Sequence, residues 1–174
     1  VGEESLAGYL MASFNSELMG RPFSGSFGVR QVETDQTSTG IGVIAGLPTV
    51  ITVDRSYDDT LPSLNLKWDL SEELVMRFAA AKVMSRPGLG NLSPGVSISV
   101  SGSSRTISGQ NPLLEPFRAK TYDVGLEWYF AEEALLSFAY FYKDIDSFVQ
   151  TTRQTGTFEQ NPFGLPESLR PGNT

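Results

Sequence analysis

Six stretches of the chain carry apolar residues at every second position. That two-residue period belongs to β-strands, and amphipathic helices repeat differently. The predicted strands lie near 5–15, 23–33, 60–70, 74–84, 119–130 and 134–146. Their apolar faces are Leu6, Gly8, Leu10, Ala12 and Phe14; Phe23, Gly25, Phe27 and Val29; Pro62, Leu64, Leu66, Trp68 and Leu70. The last three are Leu74, Met76, Phe78 and Ala80; Tyr122, Val124, Leu126, Trp128 and Phe130; and Leu136, Phe138, Tyr140 and Tyr142. No charge interrupts these faces. Charges of the same parity occur at Glu33, Lys82, Lys120, Asp144 and Asp146, all at strand ends, so they bound the apolar band.

The alternate face holds the mid-strand charge: Arg30, Lys67, Asp69, Arg77, Asp123, Glu127 and Lys143, among Ser24, Ser26, Asn65 and Ser137. A soluble β-sandwich, including a carbohydrate-binding module, would also have one apolar and one polar face. The connections favour another reading. Short turns are predicted near 16–22, 70–74 and 130–134, and long outer loops at 34–59, 85–118 and 147–174. Loops beyond ~12–15 residues are uncommon in compact soluble domains. Short turns at one end and long loops at the other are the layout of an outer-membrane barrel, porins included. The strands are close to the ~9–11 residues a tilted strand needs to cross a bilayer. The expected fold class is therefore all-β: an antiparallel up-and-down sheet of about six strands, a segment of a transmembrane β-barrel.

A weak repeat supports this. Trp68 precedes Glu72-Glu73 and Trp128 precedes Glu132-Glu133 at the same spacing. An apolar-face Trp beside an acidic turn fits an aromatic girdle, with both Trp expected at one level.

Composition removes several functions. The chain has no Cys and no His, which excludes Cys/His zinc sites, Cys nucleophiles and His-based triads. Its net charge of −7 shows no basic face for nucleic acid. No run of 18 apolar residues forms a membrane helix. The start, Val1-Gly2-Glu3-Glu4, reads as the interior of a longer chain.

The remaining motifs carry little chemistry. Gly40-Ile-Gly42-Val-Ile-Ala45 matches a dinucleotide pattern but lacks the strand–turn–helix setting and reads as a loop. Asp58-Asp59 and Asp144-Ile-Asp146 lack the spacing of a calcium loop and read as solvated carboxylates. Asn91-Leu-Ser93 is a formal sequon without further support. Asp123 and Glu127 share one strand face roughly 13 Å apart, too far for a glycosidase pair. They are expected to form an ion ladder with Lys67, Arg77 and Lys143. No catalytic, cofactor-binding or metal residues are expected, and ligand-binding residues are not legible.

The chain resembles the C-terminal half of the barrel of TonB-dependent outer-membrane receptors of Gram-negative bacteria. The stretches that carry the resemblance include Leu61–Trp68, Arg77–Pro87, Gln110–Pro116, Tyr122–Trp128 and Phe141–Phe148. Gly25–Arg30 and Val32–Asp35 are similar to the family's strand leading into an outer loop. The resemblance implies a 22-stranded barrel around an N-terminal plug, residing in the cell outer membrane. It implies import of a small-molecule or oligosaccharide ligand, or a metal chelate, with energy from the TonB complex acting through the plug. The implied partners are outer-membrane lipid, the plug, that complex and the ligand; no enzyme activity, cofactor or nucleic acid is implied. The sequence shows no plug, energy-coupling box or terminal aromatic, so an internal segment is expected across 1–174.

Overall fold

Hairpin turns organise the structure, a computed structural model that describes residues 1–44, 47–101, 104–147 and 149–153. The strands are β1 (Gly2–Leu18), β2 (Arg21–Ile44), β3 (Leu47–Asp69), β4 (Leu74–Ser85), β5 (Val96–Ser101), β6 (Ser104–Gly109), β7 (Phe117–Ala131) and β8 (Ala134–Ile145). Six form one antiparallel sheet in the order β1-β2-β3-β4-β7-β8; β5 and β6 form a separate hairpin. The fold is the up-and-down sheet that the alternation predicts. Met19 and Gly20 join β1 to β2 with φ of 55° and 74°. Positive φ at both turn residues suits the right-handed twist of the flanking strands, and Gly20 adopts it without a Cβ penalty.

The register aligns the apolar faces of all six strands. One ladder row runs Phe23, Trp68, Met76, Leu126 and Phe138; another runs Phe14, Gly25, Leu66, Phe78, Val124 and Tyr140. Directly paired residues point to the same side of a sheet, so the predicted faces merge into one apolar surface. That surface stays open: Leu10 is 76 % exposed and Phe138 66 %. Among the described residues no second sheet covers it, because the β5–β6 hairpin meets β2.

Three expectations need correction. Residues 34–59 were expected as a loop, but β2 and β3 remain paired from Phe23↔Trp68 to Ile44↔Leu47. Both faces are polar over 34–40 and 54–59, which hides the alternation; the Thr, Val and Ile residues nearer the hairpin tip are strong strand formers. Within 85–118, a 3₁₀ turn covers Leu89–Leu92, and the Ser-rich stretch pairs as β5–β6. The two tryptophans sit one rung apart: Trp68 pairs with Met76, whereas Trp128 pairs with Leu74. Glu72-Glu73 end a wide turn, but Glu132-Glu133 are themselves the turn, so β7 continues past Trp128 to Ala131. Of the third loop, Phe148 and residues 154–174 lie outside the described residues, and no strand occupies 149–153.

Strand length has a direct consequence. β2 has 24 residues and β3 has 23. About 9–11 suffice to cross a bilayer, so roughly 40 Å of this hairpin extends beyond the apolar band at ~3.4 Å per residue. Every buried residue among those described belongs to this extension or to the segment packed on it: Val32, Thr34, Gln36, Ser38, Gly42, Asp59, Pro87, Leu92, Pro94 and Pro116. The molecule's packed core therefore lies beyond the apolar band.

Candidate ligand-facing surface

The polar face forms a groove of about 600 Å³ whose wall includes Ser26, Asn65, Lys67, Arg77, Asp123 and Phe141. The sheet brings these residues together by register: Ser26, Asn65, Ala79, Asp123 and Phe141 occupy one row. The expected ion ladder forms in part. Arg77 donates from Nε and Nη2 to the two Glu127 carboxylate oxygens, at 2.9 and 3.2 Å. Tyr129 adds its hydroxyl to Glu127 at 3.1 Å. Lys67 pairs with Asp69 on its own strand at 2.9 Å. Asp123 and Lys143 have no ion pair among the described residues.

Sequence reasoning missed the apolar side chains on this polar face. Tyr9 pairs with Arg30, and Arg30 with Leu61. With Met11 they line a second groove of about 520 Å³. Their signal was present, since large apolar residues at the polar parity break the alternation, but charge alone had defined that face.

Segment 86–116 covers the polar face of the β2–β3 extension. Gln36 Nε2 donates to the Pro112 carbonyl at 3.1 Å, and Arg55 Nη1 to the Leu114 carbonyl at 2.7 Å. Arg55 also reaches Glu115, and Arg86 reaches Glu3 at 2.8 Å. Gly40 allows closer contact still: a Cβ there would lie 3.0 Å from the Gly95 nitrogen. The outer face of the same hairpin is solvated and laced by polar side chains. Ser56 donates to Asp35 at 2.6 Å and Thr37 to Asp54 at 2.7 Å.

Two groups in this assembly have shifted proton affinity. The bond to Asp59, then Glu115, holds the Arg118 guanidinium well above its usual range. Burial, then the Glu3 carboxylate, raises the Tyr57 hydroxyl; Thr34, Arg86 and Arg55 offset part of that rise.

The candidate motifs disperse. Gly40 and Gly42 lie within β2, not at the mouth of a strand–turn–helix; Ala45 lies outside the described residues. Asp58 accepts from Gln31 on one face, whereas Asp59 binds Arg118. Among the described residues no group of three Asp or Glu side chains could hold a metal ion.

An apolar face open on one side, a polar concave face on the other and a folded cap beyond one end define a segment of a transmembrane barrel wall. The chain belongs to the TonB-dependent receptor-like β-barrel family, which matches residues 2–172. The family consists of outer-membrane receptors of Gram-negative bacteria. No protein of curated function matches the chain. The fold is similar to the ferric yersiniabactin uptake receptor FyuA from Yersinia pestis, with TM-score 0.53 and 20 % identity over 82 % of this chain and 20 % of that one. It is also similar to a double mutant of the Serratia marcescens hemophore receptor HasR in complex with its hemophore HasA and heme. There the TM-score is 0.53 and the identity 16 %, over 82 % of this chain and 25 % of that one. The chain thus spans a quarter or less of either receptor's length.

Proposed function

We propose that the chain is six consecutive wall strands of an outer-membrane receptor that imports a scarce nutrient with energy from the inner membrane. The nutrient is a carbohydrate or another complex ligand, or a metal chelate. The observation that carries this reading is the register: it keeps every apolar face on one side over six strands and leaves the polar face concave. In lipid, a sheet satisfies all its backbone groups only when it closes into a barrel. The polar wall would then face the plug and lumen, and the cap on the β2–β3 extension would narrow the outer mouth. The TonB complex would act through the plug, and no wall residue here takes a catalytic role.

The test compares three strains: the parent, one lacking this receptor, and one lacking TonB. Each grows on single polysaccharides or ferric chelates as the limiting nutrient. Loss of growth on one shared nutrient in both mutants is expected. A receptor mutant that grows on every nutrient denied to the TonB mutant would overturn the import reading.

A further inference from the structure

Lys82 and Lys120 are direct cross-strand partners on β4 and β7, on the apolar side of the sheet. They mark the edge of the apolar band at the end that carries the β2–β3 extension. One row nearer the band centre lie Ala80, Tyr122 and Tyr142, with the two tyrosine rings 6.3 Å apart. One row beyond, Met84 faces Arg118, whose guanidinium is already engaged by Asp59 and Glu115. Like charges directly opposed in a sheet repel. Asp144 is next in the row beside Lys120, yet neither lysine has an ion pair among the described residues.

β4 and β7 are interior strands, flanked by β3 and β8. The β3–β4 ladder ends at Ser63↔Ala81, which leaves Lys82 without a partner on β3. Lys120 is exposed and Lys82 half-buried.

We propose that Lys82 and Lys120 bind the phosphate of a membrane lipid headgroup in the outer leaflet. This rests on the barrel reading above. Two lysines directly opposed at the band edge complement a phosphate's charge, and phosphate oxygens accept charge-assisted hydrogen bonds. The tyrosine pair below suits the same boundary, because aromatic rings settle between hydrocarbon and water. The phosphate relieves the repulsion between the lysines and fixes an annular lipid against β4 and β7.

The experiment uses the complete receptor in neutral detergent, with phosphatidic acid and phosphatidylcholine as probes and native mass spectrometry as readout. Phosphatidic acid should be retained over phosphatidylcholine by on the order of 30-fold, since each interfacial lysine contributes about fivefold. A Lys82→Gln/Lys120→Gln receptor should lose the preference. The corresponding Arg receptor should keep it, and so should Lys143→Gln, which alters the polar face. Equal retention of the two lipids by the parent, or an undiminished preference in the double Gln receptor, overturns the proposal. Brominated-lipid quenching of Trp128 separates the two readings. Quenching without lipid preference defeats the lysine site alone, whereas no quenching defeats the lipid-facing surface and the site with it.

Discussion

Arg118 grips Asp59 with two guanidinium nitrogens, Nε at 2.6 Å and Nη2 at 3.2 Å, although β4 stands between their strands in the sheet. The contact is possible because β3 and β4 part company above Ala81. Asp59 is 3 % exposed, so its carboxylate depends on this partner. Arg118 also holds Glu115, which holds Arg55, and the chain of contacts closes the cap onto β3.

Arg118→Ala should therefore open the cap. Removing one partner of a buried pair costs about 3–5 kcal/mol, because the other charge is left unpaired. In hydrogen exchange of the assembled receptor, amides of residues 86–116 should exchange at least ~100-fold faster. Asp59→Asn should have a smaller effect, since the amide still accepts from Arg118. Unchanged exchange in Arg118→Ala would show that the cap is held without this pair.

The lipid-facing register can be read in a matched pair of variants. Leu126 lies in the row of Trp68, Met76 and Phe138, and an Arg at the bilayer midplane of a barrel costs roughly 2–4 kcal/mol. Leu126→Arg should sharply reduce the heat-modifiable, folded receptor in outer-membrane fractions. Ser63→Arg, on the polar face, should be better tolerated. Equal yields from both would contradict the face assignment.

How far the sequence speaks depends on what stands on each side of a strand. Where one side meets hydrocarbon, as at Leu66, Phe78 and Leu126, the period of two is plain. Just beyond the band both sides of the β2–β3 hairpin are polar: Thr34, Gln36 and Ser38 are buried under the cap, and Glu33, Asp35 and Thr37 are in water. Polarity no longer reports burial there, so 34–59 read as a loop. The polar wall was visible from its charges, but the pairing of Arg77 with Glu127 needed the cross-strand register. The Tyr9–Arg30–Leu61 row needed it too, because its members lie on three strands.

Topology follows from the same asymmetry. The turns at 70–73 and 132–133 are short, and the opposite end bears the long β2–β3 extension and its cap. Short turns of such barrels face the periplasm. An epitope inserted at Gln110 should be labelled by antibody on intact cells, and one at Glu72 only after permeabilisation. The opposite pattern would invert the barrel and place the lysine pair in the inner leaflet.

The cap should weaken in alkali. Burial raises Tyr57 above its ordinary value of 10.0. Below that value both folded and unfolded states keep the proton, and the contribution is constant. As pH rises past it, the unfolded state loses the proton first, so stability falls with pH. Amides of the cap should therefore exchange faster above pH ~10 than base catalysis alone accounts for. Tyr57→Phe should flatten that dependence; an identical slope in the variant would assign it to another group.

The isolated chain should not behave as a soluble domain. Among the described residues β1 and β8 each present an unpaired edge in the six-stranded sheet, and such edges template aggregation. The apolar face adds Leu10, Phe138 and Tyr140, each at least 60 % exposed. Together with their neighbours they exceed the few hundred Å² of contiguous apolar surface that soluble monomers tolerate. The packed cap is too small a part of the sheet to offset this surface. Residues 1–174 expressed alone should elute in the void volume of a size-exclusion column in detergent-free buffer. They should enter the included volume only with detergent. A monodisperse monomer with a cooperative melt in plain buffer would mean that the apolar face closes on itself, and the transmembrane reading would fall.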